Sequence, residues 1–172
     1  MKILVAGPES CGKSTLCKEL SEALNIPLLN EYARTYLEQK PKEYSYDLVD
    51  LKEIAAEHVK QVEKIPSKAS YIFDTFLFNI KIWSLLKFKA SIDWLDEEIL
   101  KRPFDYILLC APNLDWEEDP LRENEHNREV LLNMYKDELN KLNWDYHIID
   151  ALGRDRTKQA LDIIKNPEKV PH

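Results

Sequence analysis

The sequence predicts an α/β fold in which a five-stranded parallel sheet is covered by helices on both faces. Three observations carry this. Five short apolar runs alternate with stretches whose apolar residues recur at helical spacing. The first run opens into a loop of pattern G-x-x-x-x-G-K-S and then a helix-like stretch. The third run ends in an acid, Phe73-Asp74, where a parallel strand delivers its last residue to the ligand-binding edge of a sheet. Among the 172 residues there is no internal repeat and no linker able to divide the chain. The expectation is therefore one domain over 1–166, with a lid at about 113–128 and a short frayed tail at 167–172.

Each element follows from its residues. Lys2-Ile3-Leu4-Val5-Ala6 is the first strand, and Leu16, Leu20, Ala23 and Leu24 mark the helix after the loop, ended by Asn25-Ile26-Pro27. Residues 27–31 form a short strand with a polar end, and 32–37 a helical turn or more. The mixed-sign run Glu38-Gln39-Lys40-Pro41-Lys42-Glu43 reads as a solvated loop. Ser45 is the expected cap of a long helix that carries Leu48, Leu51, Ile54, Ala55, Val59 and Val62 on one face and stops before Pro66. Near its apolar edge, His58 reads as a partly buried structural histidine. Residues 70–74 are the third strand. A mostly apolar helix follows with Leu77, Ile80, Trp83 and Leu86, then a shorter one with Ile92, Leu95 and Ile99. Residues 105–111 are the fourth strand, closed by Pro112. After a strongly polar segment, a helix from about 128 to 142 turns Leu131, Met134, Tyr135 and Leu142 inward. Residues 145–150 and 157–165 supply the last strand and the last helix.

The loop carries the chemistry. Gly7 and Gly12 allow backbone angles that curl successive N–H groups around a phosphate, and the following helix aims its free N–H groups at the same anion. Pro8, Glu9, Ser10 and Cys11 fill the loop, Lys13 brings a mobile charge to the β- and γ-phosphates, the Ser14 hydroxyl can ligate Mg²⁺, and Thr15 completes the helix start. The pattern implies ATP and Mg²⁺, and its placement between strand and helix makes a plain glycine turn the weaker reading. The fold class is then a P-loop three-layer sandwich, with strand order 2-3-1-4-5 by analogy with small-molecule kinases.

Further candidates sit at strand ends. Asp74 suits a Mg²⁺ ligand or a proton acceptor, although a strand-end Asp can also simply cap the next helix. Glu31 suits orientation or deprotonation of an acceptor hydroxyl, with Arg34 one turn along; the bland reading is a surface Glu–Arg pair. The sequence leaves open which of the two acids is the base. In the 113–128 segment, Arg122 and Arg128 can close over a transferring phosphoryl group, and Trp116 can stack an aromatic ring. Arg154, after the last strand, can touch an adenine.

A net charge of −7 without a dense Lys/Arg stripe argues against nucleic acid as the main partner. Three cysteines with no C-x-x-C argue against a disulfide framework or zinc site, and Cys11 reads as a tolerated loop residue. No apolar run approaches membrane-spanning length and no signal peptide leads the chain, so the expectation is a cytoplasmic protein with a small-molecule substrate and an oligomeric state the sequence does not specify.

Together these residues resemble the ribosylnicotinamide kinase (NadR-type) domain family. The shared motifs are Gly7-Pro8-Glu9-Ser10-Cys11-Gly12-Lys13-Ser14, Glu31-Tyr32-Ala33-Arg34, Phe73-Asp74-Thr75, and Trp116-Glu117-Glu118-Asp119-Pro120-Leu121-Arg122. The resemblance implies ATP- and Mg²⁺-dependent phosphorylation of the 5′-hydroxyl of nicotinamide riboside. Glu31, Tyr32, Arg34, Asp74, Trp116 and Asp119 would then be on the acceptor side. Phe76 stands where the family tends to have a second Asp, and Pro120 where it has Gly. Two alternatives stay open: a kinase of another nucleoside or nucleotide, or a regulatory ATPase acting as a nucleotide switch.

Overall fold

A computed structural model describes residues 1–41 and 43–166; Lys42 and the tail expected at 167–172 lie outside the described residues. The strands are β1 (Lys2–Ala6), β2 (Leu28–Leu29), β3 (Tyr71–Asp74), β4 (Tyr106–Cys110) and β5 (His147–Ile149). They form one sheet in the order β2-β3-β1-β4-β5, and every pairing is parallel. The strand order and the all-parallel sheet are those expected from the sequence.

The register explains the two-sided burial. β1 lies at the centre, so both of its edges are hydrogen-bonded and both faces are covered. Its alternate residues go opposite ways. Ile3 and Val5 pack under α1 (Lys13–Leu24) and α7 (Arg154–Lys165), with Leu16, Leu20, Ala160 and Ile163. Leu4 and Ala6 face the larger layer built from α2 (Tyr32–Leu37), α3 (Leu48–Glu63), α4 (Leu77–Phe88), α5 (Leu95–Leu100) and α6 (Arg128–Lys141). No helix among the described residues is long and apolar enough to cross a membrane.

Several boundaries differ from the expectation, each for a local reason. Strand β2 is only two residues long, because Glu31 already sits at the cap position of α2. The cap of α3 is Asp47 rather than Ser45. Its carboxylate accepts from the N–H groups of Val49 (2.7 Å) and Asp50 (3.1 Å), while Asp50 accepts from the Asp47 N–H at 2.9 Å. This is a reciprocal capping box, and Ser45 lies two residues too early to join it. Helix α7 begins at Arg154, three residues before the expected start, directly after the positive-φ Gly153.

Phe76 is a core residue. Thr75 adopts a left-handed φ of 62°, and this kink turns the next side chain away from the strand end. Phe76 is 1% exposed, with ring neighbours Phe73, His58 and Phe104 at 5.7, 5.8 and 5.8 Å. His58 is buried in the same cluster, more deeply than the partial burial expected, and this burial lowers its pKa to about 4. An unfolded histidine takes up a proton below about 6.5, whereas this one stays neutral until about 4. Its contribution to stability is therefore full above about pH 6.5 and is lost as pH falls toward 4, by roughly 3 kcal/mol. Urea midpoints measured between about pH 7 and pH 4.5 should fall less steeply in His58→Leu than in the wild type.

Candidate active site

The loop between β1 and α1 is held by close approach on its inner side. Gly7 has φ +137°, and a Cβ there would lie 2.7 Å from the Cys110 carbonyl oxygen, so β4 permits only glycine. Gly12, at φ +75°, lies as close to the Leu114 side chain, which a Cβ would meet at 2.8 Å. Ser10 is the third left-handed residue of the loop, at φ 51°.

The loop carbonyls meet donors from four directions. Lys13 Nζ donates to Pro8 O at 2.5 Å, and the Cys11 thiol, when protonated, donates to the same oxygen at 2.9 Å. Arg156 Nη2 donates to Cys11 O at 2.6 Å, and Arg128 Nη1 to Ser10 O at 3.4 Å. Burial opposes ionisation of Cys11, but the Cys110 thiol beside it and the cations Lys13 and Arg156 outweigh burial and bring its pKa down to about 6. Burial also works against the Lys13 ammonium, yet the negative charges of Cys11, Glu31 and Asp74 hold its pKa above the ordinary lysine value.

The 113–128 segment lies against this loop. Glu9 accepts from the N–H groups of Glu123 (3.0 Å) and Asn124 (2.9 Å) and from Asn124 Nδ2 (3.1 Å). Ser10 Oγ accepts from Glu117 N at 2.9 Å, and Arg122 Nη1 donates to Glu117 O at 2.6 Å. Arg128 Nη1 donates to Leu114 O at 2.8 Å, and its guanidinium lies 5.8 Å from the Trp116 ring. Arg34 pairs with Asp119 at 2.8 Å, tying the segment to α2.

Between loop, segment and helices lies a cavity of about 490 Å³. Its wall includes the whole stretch from Gly7 to Thr15, together with Glu31, Arg34, Arg122 and Arg154, all of them candidates from the sequence. Tyr32, Asp74, Trp116, Asp119 and Arg128 are not on that wall. Tyr32 packs against Tyr36 and His58, Trp116 against Arg128, and Asp119 against Arg34. The wall also holds Asn79 and Arg156, which the sequence reading did not name, and Trp83 and Tyr135, which it placed in apolar helix stripes and not in a site. They reach the cavity from three helices, and no motif marks them.

Glu31 sits half-buried at the cap of α2. Burial pushes its carboxyl above the usual carboxylate range and Asp74 adds to this, against the opposing pull of Lys13, Arg34 and the Thr75 hydroxyl. Asn79 Nδ2 donates to Glu31 Oε1 at 3.1 Å. Asp74 is 4% exposed, and its Oδ1 has no hydrogen-bond partner among the described residues. That orphaned carboxylate oxygen and the exposed Ser14 hydroxyl are the hard donors Mg²⁺ takes, usually alongside substrate phosphates.

A family model described as an AAA domain matches residues 2–156. No curated protein matches by sequence. Among solved structures, a NadR protein in complex with nicotinamide riboside (NR) superposes with TM-score 0.81 at 22% identity, and one with NAD and AMP-PNP with TM-score 0.80 at 21%. Each match covers 99% of this chain, but the chain spans only 52% and 50% of those proteins. A deoxyadenosine kinase from M. mycoides with bound dCTP matches at TM-score 0.69 and 18% identity, over 96% of this chain and 99% of that one. Thymidylate kinase from Ehrlichia chaffeensis matches at TM-score 0.70 and 17%, over 98% of both chains. At these identities the likeness shows the fold, which is the P-loop kinase fold expected from the sequence.

Of the two arginines near the start of α7, the buried one holds the loop. Arg156→Leu should leave the Cys11 carbonyl without its donor and lower stability by about 1–3 kcal/mol. Arg154→Leu, at an exposed position, should stay within roughly 0.5 kcal/mol. Urea denaturation of both variants measures the contrast.

Proposed function

The chain belongs to the AAA domain family, and from that premise we propose that it is an ATP- and Mg²⁺-dependent kinase of a small nucleoside. The observation that carries this reading is that Lys13 and the half-buried carboxylate of Glu31 line one cavity of about 490 Å³. A cavity of this kind brings a phosphoryl donor and a hydroxyl acceptor together away from bulk water.

In the reaction, the loop amides and the start of α1 hold the β- and γ-phosphates, and Lys13 exchanges Pro8 O for phosphate oxygen. Ser14 and Asp74 would hold Mg²⁺, which neutralises charge on the phosphates when bound. Glu31 takes the proton of the acceptor hydroxyl as that oxygen attacks the γ-phosphorus. The bond to the bridging oxygen breaks and ADP leaves. A carboxyl raised by burial, as Glu31 is, is closer to the affinity a proton acceptor needs near neutral pH. Arg122 lies over the loop, where charge develops on the phosphoryl oxygens. Arg128 acts through the loop, by bracing Leu114 O and Ser10 O. On the acceptor side Trp83 lies on the wall and offers a nucleoside base a flat face.

Nicotinamide riboside is the first acceptor to try, with its 5′-hydroxyl phosphorylated to nicotinamide mononucleotide. The support is the sequence motifs and the fold likeness to a NadR protein solved with NR. With Phe76 in the core, another nucleoside is the next candidate. The AAA description of the family favours one second reading, a nucleotide-driven switch whose slow ATP hydrolysis ignores nucleosides.

ADP release from Mg-ATP, with and without nicotinamide riboside and then a nucleoside panel, separates these readings when the product is weighed. Stimulation with a mass gain of one phosphate supports the kinase and names its acceptor. Release indifferent to every nucleoside supports the switch. In an active kinase, Asp74→Asn should lower turnover by at least about 100-fold while the urea midpoint stays near that of the wild type.

A further inference from the structure

Three helices converge on Glu31, and two of them bring polar groups that no step above uses. Asn79 of α4 is 6% exposed and Tyr135 of α6 is 1% exposed. Side chains this deep stay polar only if their hydrogen bonds are made. Here they are made to each other and to Glu31: the Tyr135 hydroxyl donates to Asn79 Oδ1, and Asn79 Nδ2 donates to Glu31 Oε1 at 3.1 Å.

The chemistry gives this chain one direction. An ionised carboxylate only accepts, so the amide group facing Glu31 is the NH₂. The amide oxygen then points toward α6, where the phenol hydroxyl donates to it. Removing that hydroxyl would free the amide to turn and present an oxygen to Glu31. The charged and titratable groups around Glu31 are Lys13 and Cys17 from α1, Arg34 on α2, Asp74 at the end of β3 and Tyr135 from α6. Among the described residues the hydrogen bond that reaches the carboxylate comes from the Asn79 side chain.

We propose that Asn79 and Tyr135 are positioning residues for phosphoryl transfer, Tyr135 fixing the Asn79 amide so that its NH₂ holds Glu31 as an accepting carboxylate with one oxygen free for the substrate proton. This rests on the kinase reading, in which Glu31 is the base. Neither residue lies in the phosphate loop, so both act on turnover and leave ATP binding alone.

The test is a double-substitution cycle read in kcat and in KM for ATP, with the full chain and its best nucleoside. Asn79→Leu keeps the size of the side chain and should lower kcat by about 10- to 100-fold, with KM for ATP within about 2-fold. Tyr135→Phe should lower kcat by about 3- to 10-fold, and adding it to Asn79→Leu should lower kcat no further, because Tyr135 acts through Asn79. A packing role alone predicts losses that multiply, or no kcat effect at all, and either overturns the proposal. A second readout is independent of activity. In ¹⁵N-labelled protein, the Asn79 side-chain signal is identified by its loss in Asn79→Leu, and it should be displaced in both Tyr135→Phe and Glu31→Gln. A signal unmoved in either variant overturns the hydrogen-bond chain whatever the enzyme does. A wild type that phosphorylates no nucleoside overturns the kinase reading and the positioning role with it. An active wild type with unchanged kcat in Asn79→Leu overturns the positioning role alone.

Discussion

A loop that turns its amides inward to receive an anion must turn its carbonyls outward, and a buried carbonyl needs a donor. This constraint organises much of the molecule. Pro8 O is met by Lys13 and Cys11, Cys11 O by Arg156, and Ser10 O by Arg128. Apart from Cys11 in the loop itself, the donors come from α1, α7 and the start of α6, so elements distant in sequence are fastened to the six-residue loop between β1 and α1. The close approach of Gly7 to β4 belongs to the same arrangement: the sheet sets how deep the loop sits, and the arginines set its shape.

The polar 113–128 segment gains its order from that loop. Glu9 and Ser10 supply the partners for its backbone N–H groups. One ion pair, Arg34 with Asp119, ties it to the helix that carries Glu31. The Gly7–Gly12 loop and the helix after Glu31 are thus joined through this segment. Two of the arginines expected over the phosphates divide their work accordingly, Arg122 lying on the wall while Arg128 spends its donors on Leu114 and Ser10.

What could be read from the sequence is what the chain encodes locally. The phosphate-loop pattern and the acid at the end of β3 follow from spacing and from residue type beside a strand, and the strand order from analogy with small-molecule kinases. Some readings failed by a small local margin. Ser45 and Asp47 are both good caps, and only the position of the first turn of α3 decides between them. Phe76 looks like a lost acid in the sequence, yet the left-handed Thr75 puts its side chain in the core, where an acid could not go. Other features were invisible because they arise only from packing. Asn79, Trp83, Tyr135 and Arg156 lie in ordinary helical stripes, and nothing in their neighbours says that the stripe faces a cavity. Trp116 carries a family-like motif, and its ring nonetheless rests on Arg128.

The sheet tapers toward its margins. Its central strands run four or five residues, whereas the outer ones, β2 and β5, have two and three. An unpaired strand edge is a template on which another chain can add itself, and its danger grows with its length. At either border this sheet offers a stranger little more than one pair of backbone groups. The chain can therefore keep a rigid parallel core under its ligand cavity without presenting a long adhesive border to its own copies.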